Sequence, residues 1–472
     1  MKYINGLLIL LILLISGCQA DFEDCICEPE AEMITKTQPD LGIDLGVQNT
    51  EKVEAAITEH IDDIARWISG LKPRGNSIPK ELIEHEDWQK HANKLNRLWE
   101  KSMEPVLEAM DKWSSTRIDA DDHLPVFYPF SGPDILNALH LYPHSNDYLL
   151  IALETEGLIP PLPTTLDEET LKGLKILENY VSGHVLRNFF ITYEMGGKTK
   201  KAALGDHTYT GVSSVILFFL VRSGYEIISI RNVSLSSEGA LVEVQDKSLI
   251  KESQVIGVEI KFKRNNEQLE QDAPEQEALE QEASEKRVIF FKANISDTQI
   301  AQQQGLIKYI LSYGQYNSIV KAASYLMYYS NFDSIRNLML SRSHHIISDD
   351  TGIPYHFFKD KPEWAIDLYG TYSRPNPGSK SFAKHCQPNL KSDMKAKGKG
   401  GLPFRFGYYL AKPNLLFATR QTEIIEPELD FDFYKGTATI YKGDKLCHKG
   451  KQYVFNREAR PKKAPKKAPQ SK

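Results

Sequence analysis

Apolar residues near the start of the chain recur every three or four positions, the spacing of a helix that buries one face. This pattern predicts a helix over residues 50–69, ended by Gly70, because glycine favours the left-handed conformation common after helix ends. A second, longer helix is predicted over residues 84–114, with an apolar stripe formed by Leu95, Trp99, Met103, Val106, Leu107, Met110 and Trp113. We interpret the stripe as a packing face; a groove for a partner is the alternative.

From about residue 120 the pattern changes, and short apolar runs typical of strands alternate with helical periods. Strands are predicted at 126–128, 148–153, 226–233, 255–263, 287–293, 364–372, 404–409 and 415–420. Helices are predicted at 166–190 and 211–222, with at least two more between 299 and 340. The alternation predicts an α/β, or α+β, fold: a layered mixed sheet with flanking helices, preceded by a helical N-terminal section.

One segment of this body differs in composition. Residues 266–286 are rich in Glu and Gln and separate two of the predicted strands. Such a segment can bury little apolar surface, so we interpret it as an acidic low-complexity insertion at the tip of a hairpin.

The most specific signal lies at the start of the chain. A charged residue precedes an unbroken apolar run at 7–15, which is too short to span a hydrocarbon core of about 30 Å. Small residues follow it, as in an export signal. The tetrad Ile15-Ser16-Gly17-Cys18 resembles the lipobox of bacterial lipoproteins. The resemblance implies that the chain is cut before Cys18, and that this cysteine is lipidated on its sulfur and on its new amino group.

The same resemblance implies a location in the bacterial cell envelope, with the membrane as a partner through the lipid on Cys18. Gln19 stands where an Asp would, in the enterobacterial sorting pattern, retain a lipoprotein in the inner membrane, so it points to the outer membrane. A plain secretory signal cut after Ala20 is the alternative. The predicted segments are a signal peptide at 1–17, a flexible tether at 18–47, a helical section at 48–118, the α/β body at 119–456 and a disordered basic tail at 457–472.

Charge is unevenly distributed along the chain. The formal net charge is −6, but residues 457–472 hold seven basic residues and one Glu, so the remainder is distinctly acidic. An acidic body argues against nucleic-acid binding. The tail repeats Pro-Lys-Lys-Ala and is predicted to be extended. It is suited to contact with anionic lipids or anionic envelope polymers, and a merely solubilising role is the alternative.

Four cysteines remain once Cys18 is assigned to the anchor, an even number for an oxidising compartment. A disulfide between Cys386 and Cys447 would close a loop of about 60 residues and stabilise the fold by about 4 kcal/mol. The adjacent pairs His385-Cys386 and Cys447-His448 are alternatively four candidate zinc ligands. The other two cysteines lie in the tether.

A candidate ligand site lies between the first two predicted strands. The turn Ser131-Gly132-Pro133-Asp134 leads from a strand into a helix, and Glu154 follows the next strand. This unit of roughly 30 residues resembles the first βαβ unit of Rossmann-type S-adenosylmethionine-dependent methyltransferases. The resemblance implies that the turn, with Gly132 and Asp134, would cradle the ligand and that Glu154 would take its ribose hydroxyls. The alternative is a structural turn capped by Ser131 or Asp134.

Metal-capable side chains are concentrated near residue 350. His344, His345, Asp349 and His356 are candidate ligands, because His345 and Asp349 would share a face if a helix continued that far. The turn signal Asp-Asp-Thr-Gly favours acids that cap or bend the chain instead. A second acidic group at 119–123 lacks the spacing of a calcium loop and is predicted to be solvated.

Known catalytic motifs do not decide the function. The sequence contains neither a Gly-x-Ser-x-Gly elbow nor a His-Glu-x-x-His motif. It therefore favours a membrane-anchored lipoprotein that binds a ligand or partner without catalysis and without a cofactor. The alternative is an enzyme, with a metal site or with a degenerate methyltransferase-like fold. The sequence does not identify a protein partner.

Overall fold

Ten strands form one mixed sheet in the described part of the computed structural model, and helices cover both faces of the sheet. The structure describes residues 60–187, 208–245, 254–265, 285–323, 325–372, 387–407 and 413–424. The strands are β1 (Val126–Pro129), β2 (Asp147–Ala152), β3 (Tyr225–Leu235), β4 (Leu241–Glu243), β5 (Ile256–Arg264), β6 (Lys286–Lys292), β7 (Tyr316–Val320), β8 (Ser343–Ser348), β9 (Trp364–Gly370) and β10 (Asn414–Arg420). The predicted α/β layered fold is therefore confirmed.

The helices form two layers, one on each face of the sheet. They are α1 (Ile61–Ile68), α2 (Lys80–Glu84), α3 (Glu86–Leu98), α4 (Glu104–Ser114), α5 (Ile135–Leu141), α6 (Glu168–Arg187), α7 (Val212–Arg222), α8 (Asp297–Ile300), α9 (Gln304–Ser312), α10 (Asp333–Arg342) and α11 (Pro388–Lys397). A π-helical turn, Trp99–Met103, joins α3 to α4. Short 3₁₀ helices lie at Leu326–Tyr328, Ser330–Phe332 and Tyr355–Phe357.

Five neighbouring strands at the centre of the sheet run parallel, in the order β6-β2-β1-β7-β8. Counted along the chain, this is the order 3-2-1-4-5 of doubly wound α/β folds. The carboxyl ends of β1 and β7 therefore form the topological switch point, where the winding of the chain reverses. Antiparallel pairing extends the sheet on both sides, through β10 and β9 beyond β8 and through β5, β3 and β4 beyond β6.

Each central strand alternates its side chains between two hydrophobic cores. In β1, Val126 and Tyr128 belong to one core and Phe127 to the other. The first core also takes the apolar faces of α1 and α3 to α7, and the second takes those of α8 to α11. Strands that are buried on both faces need nearly continuous apolar sequence, which explains why β1, β2 and β6 were recognisable.

The predicted N-terminal helices pack on the first face of the sheet. Every residue of the predicted stripe is buried except Val106, which packs against the same core while partly exposed. The ring of Trp113 lies 5.5 Å from that of Tyr369 and 5.7 Å from that of Phe417, so the helical section and the sheet share one core. Gly70 has φ +69°, as expected for the residue that ends α1.

Three strands, β4, β7 and β8, lie where the sequence pattern did not predict them. The helices expected between 299 and 340 are present as α9 and α10, but β7 lies between them, and β8 covers His344 and His345. Asn317 and Ser318 interrupt the apolar run of β7, although both are fully buried. The strand predicted at 404–409 is wrong for its described part, because residues 404–407 form a loop.

Several predictions concern residues outside the described ranges. These are the export signal with Cys18, the tether, the disulfide between Cys386 and Cys447, and the basic tail. Most of the Glu/Gln-rich insertion also lies outside them, but its flanking strands β5 and β6 pair antiparallel, as a hairpin requires. Within the described ranges, the helices lack the combination of length and apolarity that crossing a membrane needs.

Candidate functional site

The turn predicted to hold a ligand lies at the switch point, between β1 and α5. Phe130 and Gly132 have φ of 60° and 55°, so the chain reverses sharply before the helix begins. A left-handed phenylalanine costs about 1 kcal/mol, and the Phe130 ring packs 5.6 Å from that of Phe332. The backbone N–H of Ser131 donates to the carbonyl of Ile151 at 3.1 Å, which ties the turn to the end of β2.

Asp134 caps α5 and forms the centre of a buried polar network. Its carboxylate accepts hydrogen bonds from Lys321 Nζ at 2.6 Å, the Tyr128 hydroxyl at 2.9 Å and the Asn137 side-chain amide at 2.7 Å. The side chains of Lys321 and Asp134 are 1% and 2% exposed. Burial raises the pKa of Asp134, but Lys321 and His184 more than offset it and hold the pKa below its usual range. Burial and the adjacent carboxylate raise the pKa of Tyr128, so its hydroxyl stays a donor.

Two further elements close over this network. From α6, His184 places Nε2 3.7 Å from Asp134 Oδ1, and burial lowers the pKa of this histidine to about 4. From the loop that follows α11, the ring of Phe406 lies 5.7 Å from Lys321 Nζ. The space next to Asp134 at the switch point is therefore filled by side chains of the protein itself.

Asp349 lies at the carboxyl end of β8, beside the same network. It accepts hydrogen bonds from the backbone N–H and the hydroxyl of Thr351, at 3.1 Å and 2.8 Å, and from the N–H of Ala322 at 3.1 Å. Gly407 packs so closely that a Cβ there would stand 2.7 Å from a carboxylate oxygen of Asp349. These contacts correspond to the chain-bending role that the turn signal favours.

Glu154, the third residue predicted to contact a ligand, lies two residues beyond β2 and is half-buried. Its neighbours Leu153 and Leu158 are 47% and 57% exposed. Gly132 and Asp134 thus belong to the closed turn, whereas Glu154 belongs to a loop in which Leu153 and Leu158 face solvent.

Of the four residues predicted as metal ligands, the structure brings only His344 and His345 together. Both lie in the strand β8, whereas the prediction placed His345 and Asp349 on one face of a helix. Four residues of extended chain span about 13 Å, so Asp349 lies at the opposite end of β8 from His345. His356 lies in a 3₁₀ helix, where its ring packs 4.2 Å from that of Phe357.

At the amino ends of the parallel strands, these two histidines meet Asp122 from the loop before β1. Asp122 Oδ2 lies 3.2 Å from Nδ1 of His345 and 3.8 Å from Nδ1 of His344. Adjacent residues of a regular strand point to opposite faces. Here β8 contains a bulge: it advances three residues, from Ser343 to Ile346, where β7 advances only two, from Tyr316 to Ser318. This bulge brings the two imidazole rings within 4.3 Å of each other. The side chain of Asp122 is only 5% exposed, so the prediction of a solvated loop is wrong at this residue.

Asn317, in β7, holds this cluster in place. Its side-chain amide donates to both carboxylate oxygens of Asp122 at 3.0 Å, and its carbonyl oxygen accepts from the N–H of His345 at 3.1 Å. The N–H of Leu124 donates to Asp122 Oδ1 at 3.2 Å, so Oδ2 is the oxygen that faces the imidazoles. Burial raises the pKa of Asp122, but His344, His345 and Asn317 together hold it below its usual range.

No family model, curated protein or solved structure matches this chain. Its class is therefore defined by its own geometry: a doubly wound α/β protein with a closed switch point and a His–Asp cluster at the opposite edge of the sheet.

Proposed function

We propose that this protein is a lipid-anchored envelope protein whose α/β body binds a partner or ligand and does not use S-adenosylmethionine. The observation that carries the proposal is the ion pair of Asp134 and Lys321 at the switch point. In doubly wound folds the ligand enters the crevice outside the carboxyl ends of the strands at this point. Here the position holds a buried carboxylate and a buried ammonium group, 2.6 Å apart.

A cofactor at this point would have to displace the ion pair. Separating two buried charges leaves each of them uncompensated, at a cost of about 3–5 kcal/mol. Binding at a Kd of about 1 μM supplies only about 8 kcal/mol, so the displacement would consume a large part of it. The start of α5 is also occupied, because the carboxylate of Asp134 accepts from the N–H of Asn137.

The loop after β2 is the surface at which we expect a partner to bind. Leu153 and Leu158 are two of the three large apolar side chains that are exposed in the described ranges, and Glu154 stands between them in the sequence. Complete burial of an exposed leucine contributes about 1.5–3 kcal/mol. Two such residues in one loop favour an apolar protein surface as the partner over a small polar ligand.

The envelope location rests on the tetrad that ends at Cys18. One acyl chain gives only marginal membrane binding, since each buried methylene adds about 0.8 kcal/mol, whereas several chains give stable anchoring. A lipid anchor of this kind would hold the protein at a membrane surface, where partners are concentrated.

We expect the purified full-length protein, in detergent, to bind neither S-adenosylmethionine nor S-adenosylhomocysteine. Equilibrium dialysis should show no saturable binding up to about 1 mM cofactor.

The second candidate function is an enzyme built on the Rossmann-type fold, which the 3-2-1-4-5 strand order favours. Saturable binding with a Kd below about 100 μM, weakened in Glu154→Ala, would support that enzyme and overturn our proposal.

Crosslinking in the native envelope, followed by affinity purification, should recover a partner with the wild-type chain. We expect the yield to fall strongly in the double variant Leu153→Ser, Leu158→Ser, because its apolar contacts are lost, and in Cys18→Ala, because that chain leaves the membrane. Val242→Ser is the matched control, since Val242 is 46% exposed but lies on β4 at the edge of the sheet. Equal yields from all variants, or no partner from the wild type, would count against the proposal.

A further inference from the structure

The His–Asp cluster at the amino ends of the strands plays no part in the proposed function. We propose that Asp122, His344 and His345 bind a zinc ion. Two imidazole nitrogens and one carboxylate oxygen make a ligand set that zinc takes in sites whose fourth position stays open to water. Three observations lead to this assignment: the geometry of the three side chains, the lack of hydrogen-bond partners at the two Nδ1 atoms within the described residues, and the groups that hold the cluster.

The three side chains already stand at nearly the separations that zinc requires. In a tetrahedral site with bonds of 2.0–2.1 Å, neighbouring ligand atoms are about 3.3 Å apart. Asp122 Oδ2 lies 3.2 Å and 3.8 Å from the two Nδ1 atoms, and no pair of ligand atoms is more than 4.8 Å apart. The side chain of His344 is 43% exposed, so a small rotation of its ring can close the widest separation.

The nitrogen atoms that face Asp122 have no hydrogen-bond partner among the residues that the structure describes. Nδ1 of His344 and Nδ1 of His345 are buried, and within the described residues neither makes a hydrogen bond of good geometry. His345 Nδ1 is near enough to Asp122 Oδ2 for a hydrogen bond, but the direction of approach is poor. Buried polar atoms are normally satisfied, so two such atoms converging on one carboxylate oxygen indicate a position suited to a cation. A cation between the three atoms would satisfy all of them.

The groups around the cluster hold it as the outer partners of a metal site do. Asn317 donates to both oxygens of Asp122 and accepts from the backbone of His345, so one side chain orients two of the proposed ligands. Such partners fix the orientation of metal ligands, and removing one typically costs 10–100-fold in metal affinity. The bulge in β8 serves the same purpose, because without it the two histidines would point to opposite faces.

The test measures zinc alone. Full-length protein freed of metal by a chelator should bind one zinc ion per chain in equilibrium dialysis. We expect His345→Ala and Asp122→Asn to lower the zinc affinity by at least about 100-fold, and Asn317→Ala by about 10–100-fold. His356→Ala is the matched control, since this histidine was a candidate ligand but packs against Phe357, and it should leave the affinity unchanged.

Cobalt distinguishes this site from the cysteines of the chain. Co²⁺ in place of zinc should give the visible bands of a tetrahedral nitrogen–oxygen site without thiolate charge transfer, and the double variant Cys386→Ser, Cys447→Ser should give the same spectrum. If His345→Ala fails to fold, His344→Ala is measured instead, because the side chain of His344 is 43% exposed. We expect the same loss of zinc affinity in this variant. The proposal is overturned if the wild type binds no zinc, if cobalt shows thiolate bands, or if the histidine variants bind zinc within about threefold of the wild type.

Discussion

Replacing Lys321 with methionine should lower the free energy of unfolding by about 3–5 kcal/mol, because it leaves the charge of Asp134 buried without its ammonium partner. The hydrogen bonds that Tyr128 and Asn137 donate to Asp134 would remain. The loss of stability therefore measures the effect of removing the charge of Lys321. Urea denaturation followed by tryptophan fluorescence is the appropriate measurement. A loss below about 1 kcal/mol would mean that solvent reaches the switch point and that the crevice is open.

A double variant separates the charge effect from general damage. In Lys321→Met, Asp134→Asn no charge of the pair remains, and asparagine keeps an acceptor for Tyr128, so most of the lost stability should return. Lys80→Met is the control on the surface, where the ion pair with Glu84 is 3.2 Å long but the side chains are 79% and 63% exposed. This control should change the stability by less than about 0.5 kcal/mol.

Acid should destabilise the protein between about pH 6.5 and pH 4 through His184. Burial lowers the pKa of this histidine from 6.5 to about 4, with Asp134 raising it and Lys321 lowering it. Below pH 6.5 the unfolded chain binds a proton that the folded chain does not bind until about pH 4. The stabilisation is therefore complete above pH 6.5 and is lost as the pH falls, by about 2.5 kcal/mol at pH 4.5.

The variant His184→Leu tests this dependence directly. Its free energy of unfolding should change by about 2.5 kcal/mol less between pH 7 and pH 4.5 than that of the wild type. The control Phe219→Leu alters a ring 5.2 Å from His184 and does not titrate, so it should lower the stability equally at both pH values. An unchanged pH dependence in His184→Leu would contradict this prediction, because it would show that the imidazole has the same pKa in the folded and unfolded chain.

The sequence was most informative where a strand or helix is uniformly apolar. The predicted strands near β2 and β6 and the helix near α7 lie within one or two residues of the observed ones, because burial on all sides demands continuous apolar sequence. β7 was missed because Asn317 stands inside it. That polar residue is buried only because its side chain holds Asp122, so the feature that concealed the strand is part of the candidate site.

The partners within each site could not be predicted from local spacing. Asp134 and Lys321 are 187 residues apart, and Asp122 and Asn317 are 195 apart. The sequence identified Asp134, His344 and His345 from their neighbours, but it gave them local partners such as Asp349. The actual partners are brought together by the parallel order of β1, β7 and β8, which depends on contacts across most of the chain.

The bulge in β8 also bears on how such a cluster can arise in evolution. Because β8 carries one more residue than β7 at this point, deletion of a single codon would restore a regular ladder beyond it. The same deletion would leave one histidine facing Asp122 and would preserve the side-chain alternation of Ile346 and Ile347 between the two cores. A chain of this fold that already carries Asp122 and Asn317 can therefore gain or lose the histidine pair in one genetic step.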